Sequence, residues 1–179
     1  EEIGQRYGVA TIATLKPSPS SSSKEFLLKG AQTIKELGAA GKFVATVGGE
    51  HTATFAAIHA LAQVHRDLSI LYIDAHADLR DSYEGAPWNH ACALRRSLES
   101  CKLFGSKGVT SLVGIRNLDV EEKRYLENND HLALFGLERC CRNLTPYIES
   151  IVERLGEKVY ISIDLDGLDP SVIPGVGTP

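Results

Sequence analysis

The chain has 179 residues, of which 43% are hydrophobic and 23% are charged, and its formal net charge is −4. This composition is typical of a globular domain and is large enough to bury one sizeable core, so we expect a single domain. The negative charge disfavours nucleic acid and anionic membranes as partners, because both require a basic surface, and it suits a small cationic substrate better.

No apolar run approaches the roughly 20 residues of a membrane-spanning helix, and the first residues do not resemble a signal sequence. We therefore expect a cytoplasmic protein. The cysteines lack metal-binding spacing and include a vicinal pair poorly suited to a disulfide, so reduced thiols are expected. They are Cys92, Cys101, Cys140 and Cys141. The chain begins at Glu1, contains no methionine and ends at Pro179, from which we expect a fragment that lacks N- and C-terminal parts of its domain.

Predicted strands and helices alternate along the chain. Residues 9–15 are a candidate strand, and the proline- and serine-rich residues 16–23 are a predicted loop. Short apolar runs predict further strands, and apolar residues at helical spacing predict helices between them. The strands are residues 43–47, 68–73, 109–115, 131–135 and 159–163, and the helices are residues 25–37, 53–64, 91–99, 120–128 and 146–155. This order predicts an α/β fold, a three-layer helix–sheet–helix sandwich with a mainly parallel sheet.

Three segments rich in acidic residues and histidine each follow a predicted strand. They are Gly-Gly-Glu-His-Thr at 48–52, Asp-Ala-His-Ala-Asp at 74–78 and Asp-Leu-Asp at 164–166. The carboxyl ends of parallel strands build functional sites in α/β folds, and a spacing of two directs side chains to one side of an extended segment. The segments therefore predict one shared metal centre. Its candidate ligands are His51, Asp74, His76, Asp78, Asp164 and Asp166.

This ligand set is too large for one ion. Two imidazoles and four carboxylates suit two divalent ions with bridging carboxylates, and four ionised aspartates balance two dications. Oxygen-rich coordination favours Mn²⁺ over Zn²⁺, while Fe²⁺, Co²⁺ and Ni²⁺ stay open. A single aspartate or histidine at a strand end is more often a helix cap or a turn residue, but three segments in the same context favour metal binding.

The three segments resemble the motifs of the ureohydrolases, the family of arginase and agmatinase. Residues 48–52 resemble its G-G-[DE]-H-[ST] motif, residues 74–78 its D-A-H-x-D motif, and residues 162–170 its S-x-D-x-D-x-x-D-P motif, in the family's order. The resemblance covers the chain from about residue 43 to its end. It implies an arginase-like fold and two Mn²⁺ ions per chain in a homo-oligomeric enzyme.

The resemblance also implies a role for each candidate ligand. Asp74 and Asp164 would bridge the ions, His51 and Asp78 would complete one ion, and His76 and Asp166 the other. A hydroxide bound to both manganese ions would attack the guanidinium carbon, releasing urea and an amine.

His90 is the candidate for protonating the leaving nitrogen and contacting the substrate, because residues 88–92 resemble the family's histidine-containing loop. We assign His90 and the ligand Asp78 as catalytic. The structural alternative for His90 is a loop histidine beside a helix start.

Residues 79–93 indicate the substrate. They lack the asparagine- and serine-rich pattern with which arginases hold the arginine carboxylate, and they resemble agmatinase-like members. Agmatine and a role in polyamine biosynthesis are therefore favoured, with arginase, guanidinobutyrase and formimidoylglutamase activities as alternatives. Asp119 is a weaker substrate-binding candidate, because with Glu122 it also forms a capping-box pattern, and we favour that structural role. The family's guanidinium-binding glutamate would lie beyond residue 170, and this sequence ends before it.

Two other functions remain open. A zinc-dependent deacetylase of related architecture would bind one ion with fewer carboxylates, and the ligands His51, His76 and Asp166 argue against it. A non-enzyme, either an inactive metal-binding fragment or a homologue without activity, is the second alternative. Metal stoichiometry and urea release would separate these possibilities.

Overall fold

The computed structural model describes residue 6, residues 8–136 and residues 144–178. The helices are α1 (Ser23–Ala39), α2 (Ala53–Ala62), α3 (Ala93–Leu103), α4 (Val120–Glu127) and α5 (Leu144–Val152), and the strands are β1 (Ser69–Ile73), β2 (Thr110–Val113), β3 (Leu132–Phe135) and β4 (Val159–Ile163). Cys92 and Cys101 are free thiols, as expected. The prediction for Cys140 and Cys141 lies outside the described residues. None of the described helices combines the length and apolarity needed to cross a membrane.

The four strands form one parallel sheet in the order β3-β2-β1-β4. In the register of β1 with β4, Ile73 pairs with Ile163, and the Asp164 amide donates a 2.8 Å hydrogen bond to the Ile73 carbonyl. Asp74 and Asp164 therefore leave the sheet side by side. This pairing brings together two motifs that are 90 residues apart in the sequence.

One face of the sheet carries the main core. Ile70 and Tyr72 of β1 pack with Ile58 of α2 and Leu94 of α3, and all four are essentially inaccessible to solvent. Residues of α4 pack against the same cluster. Burying a large apolar side chain contributes about 1.5–3 kcal/mol, so this cluster supports the strand that carries the Asp-Ala-His-Ala-Asp segment.

Helix α5 lies on the opposite face. Its Tyr147 contacts the ring of Phe135, which points away from the core side of β3, and donates a 2.8 Å hydrogen bond to the Phe135 carbonyl. This arrangement follows from right-handed crossovers, because the chain reverses its direction across the sheet between β3 and β4. The three-layer prediction is confirmed.

Helix α1 packs outside α2. Ser22 and Glu25 form a reciprocal capping box at its start, and small and branched residues along its inner side, Ala31 and Ile34, contact Ala57 and its neighbours in α2. The predicted helix at residues 25–37 is thus confirmed and begins two residues earlier.

Two predicted strands are wrong. Residues 9–15 and residues 43–47 form no strand, and the side chains of Phe43 and Val47 are almost fully exposed. A high β-propensity stabilises a strand only when a neighbouring strand supplies hydrogen bonds and side-chain contacts. Among the described residues neither segment has such a neighbour. Strand β4, at the edge of the sheet, does pair with β1, and its Ile161 and Ile163 side chains are exposed.

Candidate metal centre

The Asp-Ala-His-Ala-Asp segment is not the simple extended stretch that its spacing predicts. After β1 the chain bends at Asp74, and Asp78 adopts a left-handed backbone conformation with φ of 51°. Aspartate tolerates this conformation better than most residues do. Ala75 and Ala77 are completely buried between the three functional residues. The bend and the left-handed residue, together with the alternation, bring Asp74, His76 and Asp78 to one cavity.

His51 lies at the centre of one group of ligands. Its Nδ1 atom is 2.7 Å from Asp74 Oδ2, 3.2 Å from Asp164 Oδ2 and 3.3 Å from Asp78 Oδ2. We call His51, Asp74 and Asp78 the inner ligand group. The side chains of His51 and Asp78 are 9% and 7% exposed, and that of Asp74 is 1% exposed.

A second group shares Asp74. His76 Nδ1 lies 3.1 Å from Asp166 Oδ2 and 3.5 Å from Asp74 Oδ1. We call Asp74, His76 and Asp166 the outer ligand group. His76 is 38% exposed and Asp166 19%. Because one oxygen of Asp74 faces each group, its position suits a carboxylate that bridges two ions.

The donor atoms are placed as the ligands of common metal ions would be. In each group one ligand atom per residue lies within 4.8 Å of the others. Asp74 Oδ2 is buried and has no aligned hydrogen-bond donor among the described residues, although His51 Nδ1 is only 2.7 Å away. Buried carboxylate oxygens normally have a partner. Two atoms that approach closely without a hydrogen bond are arranged as two ligands of a common ion would be.

Further hydrogen bonds hold the ligands in place. Ser162 Oγ lies 2.9 Å from His51 Nε2 and 2.7 Å from the Thr54 hydroxyl, which orients the imidazole so that Nδ1 faces the carboxylates. Backbone amides donate to two carboxylates of the outer ligand group, the His76 amide to Asp74 Oδ1 and the Ala75 amide to Asp166 Oδ1. The Asp166 amide donates in turn to Asp164 Oδ1. Such contacts fix the tautomer and direction of metal ligands.

The concentrated negative charge perturbs the titration of the ligands. Burial raises the pKa of Asp74 to about 6, and the charge of Asp78 adds to this. For His51, burial opposes protonation, but the carboxylates of Asp74 and Asp78 outweigh burial and raise its pKa to about 10. Burial also opposes ionisation of Asp166, yet the Ala75 amide and the nearby positive charges lower its pKa. A buried cluster of carboxylates calls for compensating positive charge.

All six predicted ligands and His90 line one cavity of about 250 Å³. Its lining is Gly49, Glu50, His51, Asp74, His76, Asp78, His90, Asp164 and Asp166. His90 begins a short 3₁₀ turn, His90–Cys92, and its side chain is 58% exposed, with Nδ1 3.9 Å from Glu50 Oε1. His90 therefore lines the solvent-exposed side of the cavity that also contains the candidate ligands.

Asp119 is placed elsewhere. Its side chain accepts a hydrogen bond from the Glu122 amide at the start of α4, and Glu122 reciprocates with the Asp119 amide. Asp119 Oδ2 also lies 3.0 Å from Arg80 Nε. Among the described residues Asp119 does not line the ligand cavity, and its contacts are those of a helix cap.

Two residues that no sequence motif singled out support the candidate ligands. Tyr72 is fully buried in β1, yet its hydroxyl lies at the inner ligand group. The guanidinium of Arg116 donates to the backbone carbonyls of Asp166, at 2.5 Å, and Thr178, at 2.7 Å. Tyr72 lies two residues before Asp74, so strand alternation could have placed it on the side of the ligands. No comparable sequence signal exists for Arg116, whose shortest hydrogen bonds go to carbonyl groups distant in sequence.

Comparison with known proteins identifies the family. A model of the arginase family matches residues 2–179. The chain belongs to this family. It is 40% identical to the N(1)-aminopropylagmatine ureohydrolase of Thermus thermophilus, over 99% of this chain and 59% of that protein. It is 38% identical to the agmatinase of Halalkalibacterium halodurans, over 74% of this chain and 43% of that protein.

A solved structure of the arginase family has the same fold. The agmatine ureohydrolase of Thermoplasma volcanium superposes with a TM-score of 0.72 and 30% identity, over 89% of this chain and 52% of that one. The arginase-like fold predicted from the motifs is therefore confirmed. This arginase-family chain spans about half the length of the relatives it matches.

Proposed function

We propose that the protein hydrolyses a linear guanidino amine, with agmatine as the first candidate, to urea and an amine at a centre of two divalent metal ions. The observation that carries this proposal is the pair of overlapping ligand groups that share Asp74 in a cavity also lined by His90. The family assignment and the names of the relatives support the same chemistry.

Asp74 and Asp164 would bridge the ions, His51 and Asp78 would hold one ion, and His76 and Asp166 the other. When bound, the ions supply Lewis acidity and lower the pKa of a water molecule enough to give hydroxide near neutral pH. Oxygen-rich coordination favours Mn²⁺ over Zn²⁺. The carboxylates of this chain would stabilise the positively charged ions and the guanidinium group in one cavity.

His90 would supply the proton that the leaving nitrogen needs. A neutral amine leaves far more readily than an amide anion, and an imidazole can deliver a proton near neutral pH. Among the described residues His90 belongs to neither ligand group, its Nδ1 lies 3.9 Å from Glu50 Oε1, and its exposed side chain borders the cavity.

The charge of the cavity supports a guanidino amine over a guanidino acid. The four aspartates among the described lining residues are candidate metal ligands whose charge two dications would balance, which leaves Glu50 as the remaining charged carboxylate, and none of the described lining residues is lysine or arginine. A substrate with a carboxylate would need a donor of positive charge at its far end. Agmatine and its N1-aminopropyl derivative carry only positive charges, so arginine, guanidinobutyrate and formiminoglutamate are the less favoured substrates.

The test is urea release by the complete protein loaded with Mn²⁺. We expect release from agmatine or N1-aminopropylagmatine to exceed release from arginine and guanidinobutyrate, and formiminoglutamate to yield no formamide. A protein that binds two ions per chain but acts on none of these compounds would contradict the proposed function. One ion per chain would instead favour a deacetylase-type centre. The cytoplasmic location, the homo-oligomeric state and the role in polyamine biosynthesis stay predictions.

A further inference from the structure

Tyr72 is a polar residue in an otherwise apolar strand. It lies in β1 with none of its surface exposed, and its ring packs in the main core. A buried phenol that lacks a hydrogen-bond partner is costly, so its hydroxyl must be satisfied inside the protein. In this structure its partners are side chains of the inner ligand group.

Three contacts join Tyr72 to that group. The phenol donates a 2.8 Å hydrogen bond to Asp78 Oδ2 and lies 3.1 Å from His51 Nδ1. Its ring also stacks on the His51 imidazole, with centroids 4.7 Å apart and planes 8° from parallel. One side chain thus limits the position of a carboxylate and the plane of an imidazole.

We propose that Tyr72 is a positioning residue that aligns Asp78 and His51 as ligands of one metal ion and has no such effect on the other ion. This inference rests on the proposed metal centre. A phenol has one hydrogen, and an ion held by His51 Nδ1 uses the nitrogen lone pair, so the hydrogen of Tyr72 goes to Asp78. Asp78 needs this restraint because it lies on irregular, left-handed backbone rather than in the sheet.

The outer ligand group is held differently. Backbone amides of Ala75 and His76 donate to Asp166 and Asp74. Within the part of the chain that the structure describes, the hydrogen-bond partners of the Tyr72 hydroxyl are Asp78 and His51, not His76 or Asp166. Removing the phenol oxygen therefore disturbs ligands that belong to one group only. If Tyr72 positions these ligands, its loss should weaken the binding of one ion only. A general loss of stability would weaken the binding of both ions.

The test compares Tyr72→Phe with wild type in the complete protein, by equilibrium dialysis against Mn²⁺ and by electron paramagnetic resonance. The phenylalanine keeps the stacked ring and loses only the hydroxyl. We expect one ion to bind as in wild type and the other to bind about 10- to 100-fold more weakly, the usual effect of losing a partner of a metal ligand. At a free Mn²⁺ concentration that just fills both sites of wild type, the variant then shows the resonance of an isolated ion where wild type shows a coupled pair.

Tyr147→Phe is the matched control. It also deletes a buried phenol that donates a 2.8 Å hydrogen bond, but its acceptor is the Phe135 carbonyl on the other face of the sheet. It should leave both affinities unchanged. Equal affinities in Tyr72→Phe and wild type, or equal weakening of both ions, would overturn the inference. If wild type binds no Mn²⁺, the proposed function fails first and the role of Tyr72 fails with it.

Discussion

The two ligand groups of the candidate metal centre share Asp74 but are built in different ways. In the inner ligand group, His51 and Asp78 are over 90% buried and are aligned by other side chains, Tyr72 and Ser162. In the outer ligand group, His76 is more than a third exposed, and backbone amides hold the carboxylates. Burial strengthens electrostatic interactions and makes each lost partner more costly. The inner group should therefore depend on individual side chains, and the outer group on the path of the backbone.

Asp74→Ala breaks both groups at once and should have the largest effect. Because Asp74 belongs to each group, the variant should lose both ions, and urea release should fall by roughly three orders of magnitude or more, since metal charge stabilisation is worth several kcal/mol. Metal analysis and urea assays measure this. Asp81→Ala, which removes an exposed carboxylate paired with Arg96, is the control and should retain both ions. Normal metal content in Asp74→Ala would refute the shared ligand.

His90→Ala tests a residue that belongs to neither group. We expect both ions to remain and the turnover number to fall about 10²- to 10⁴-fold, the usual contribution of a general acid. His131→Ala, at the opposite end of the sheet before β3, should leave turnover unchanged. Loss of metal in His90→Ala would show that this histidine supports the ligands, and unchanged turnover would remove it from the reaction.

Arg116→Lys should weaken binding of the ion held by the outer ligand group only, whereas Tyr72→Phe should weaken binding of the ion held by the inner ligand group only. Lysine keeps the charge but lacks the planar fork that reaches the carbonyls of Asp166 and Thr178. We expect one ion to bind about 10-fold more weakly, with the inner ion unchanged. Mn²⁺ dialysis checks this, with Arg124→Lys on the exposed side of α4 as the control. If Arg116→Lys and Tyr72→Phe weaken the same ion, the division into two separately supported groups is wrong.

Glu122→Gln should have the smallest effect on the metal centre. Glu122 is buried and accepts hydrogen bonds from the amides of Leu79 and Asp119, so it anchors the backbone directly after Asp78. Replacing one carboxylate oxygen with an NH2 group leaves one of these amides without its acceptor, which should lower the free energy of unfolding by about 1–3 kcal/mol while two ions still bind. Denaturant titration measures this loss. Glu25→Gln, in the exposed capping box of α1, should cost less, and an equal cost would argue against the role of burial.

The clustering of the candidate ligands could be predicted because their signal is local. A short motif placed after an apolar strand indicates where its side chains leave the sheet, and parallel strands end at a common edge. Asp74 and Asp164 follow directly from that logic. The strand predicted at residues 43–47 does not form, because β-propensity is local whereas a strand also needs a neighbouring strand to pair with. His51 nevertheless reaches the site, since its position depends on α2 and on contacts with Ser162 and Asp74.

Residue order alone predicted the alternation of strands and helices, the candidate ligands and the capping role of Asp119, because each depends on spacing within a few residues. It indicated His90 only through the resemblance of residues 88–92 to a loop of the family. Tertiary structure alone decided which ligands face each other, the left-handed turn at Asp78, and the support of Tyr72 and Arg116. These features depend on strand register and on packing between segments that are distant in sequence, and neither is determined by any local pattern.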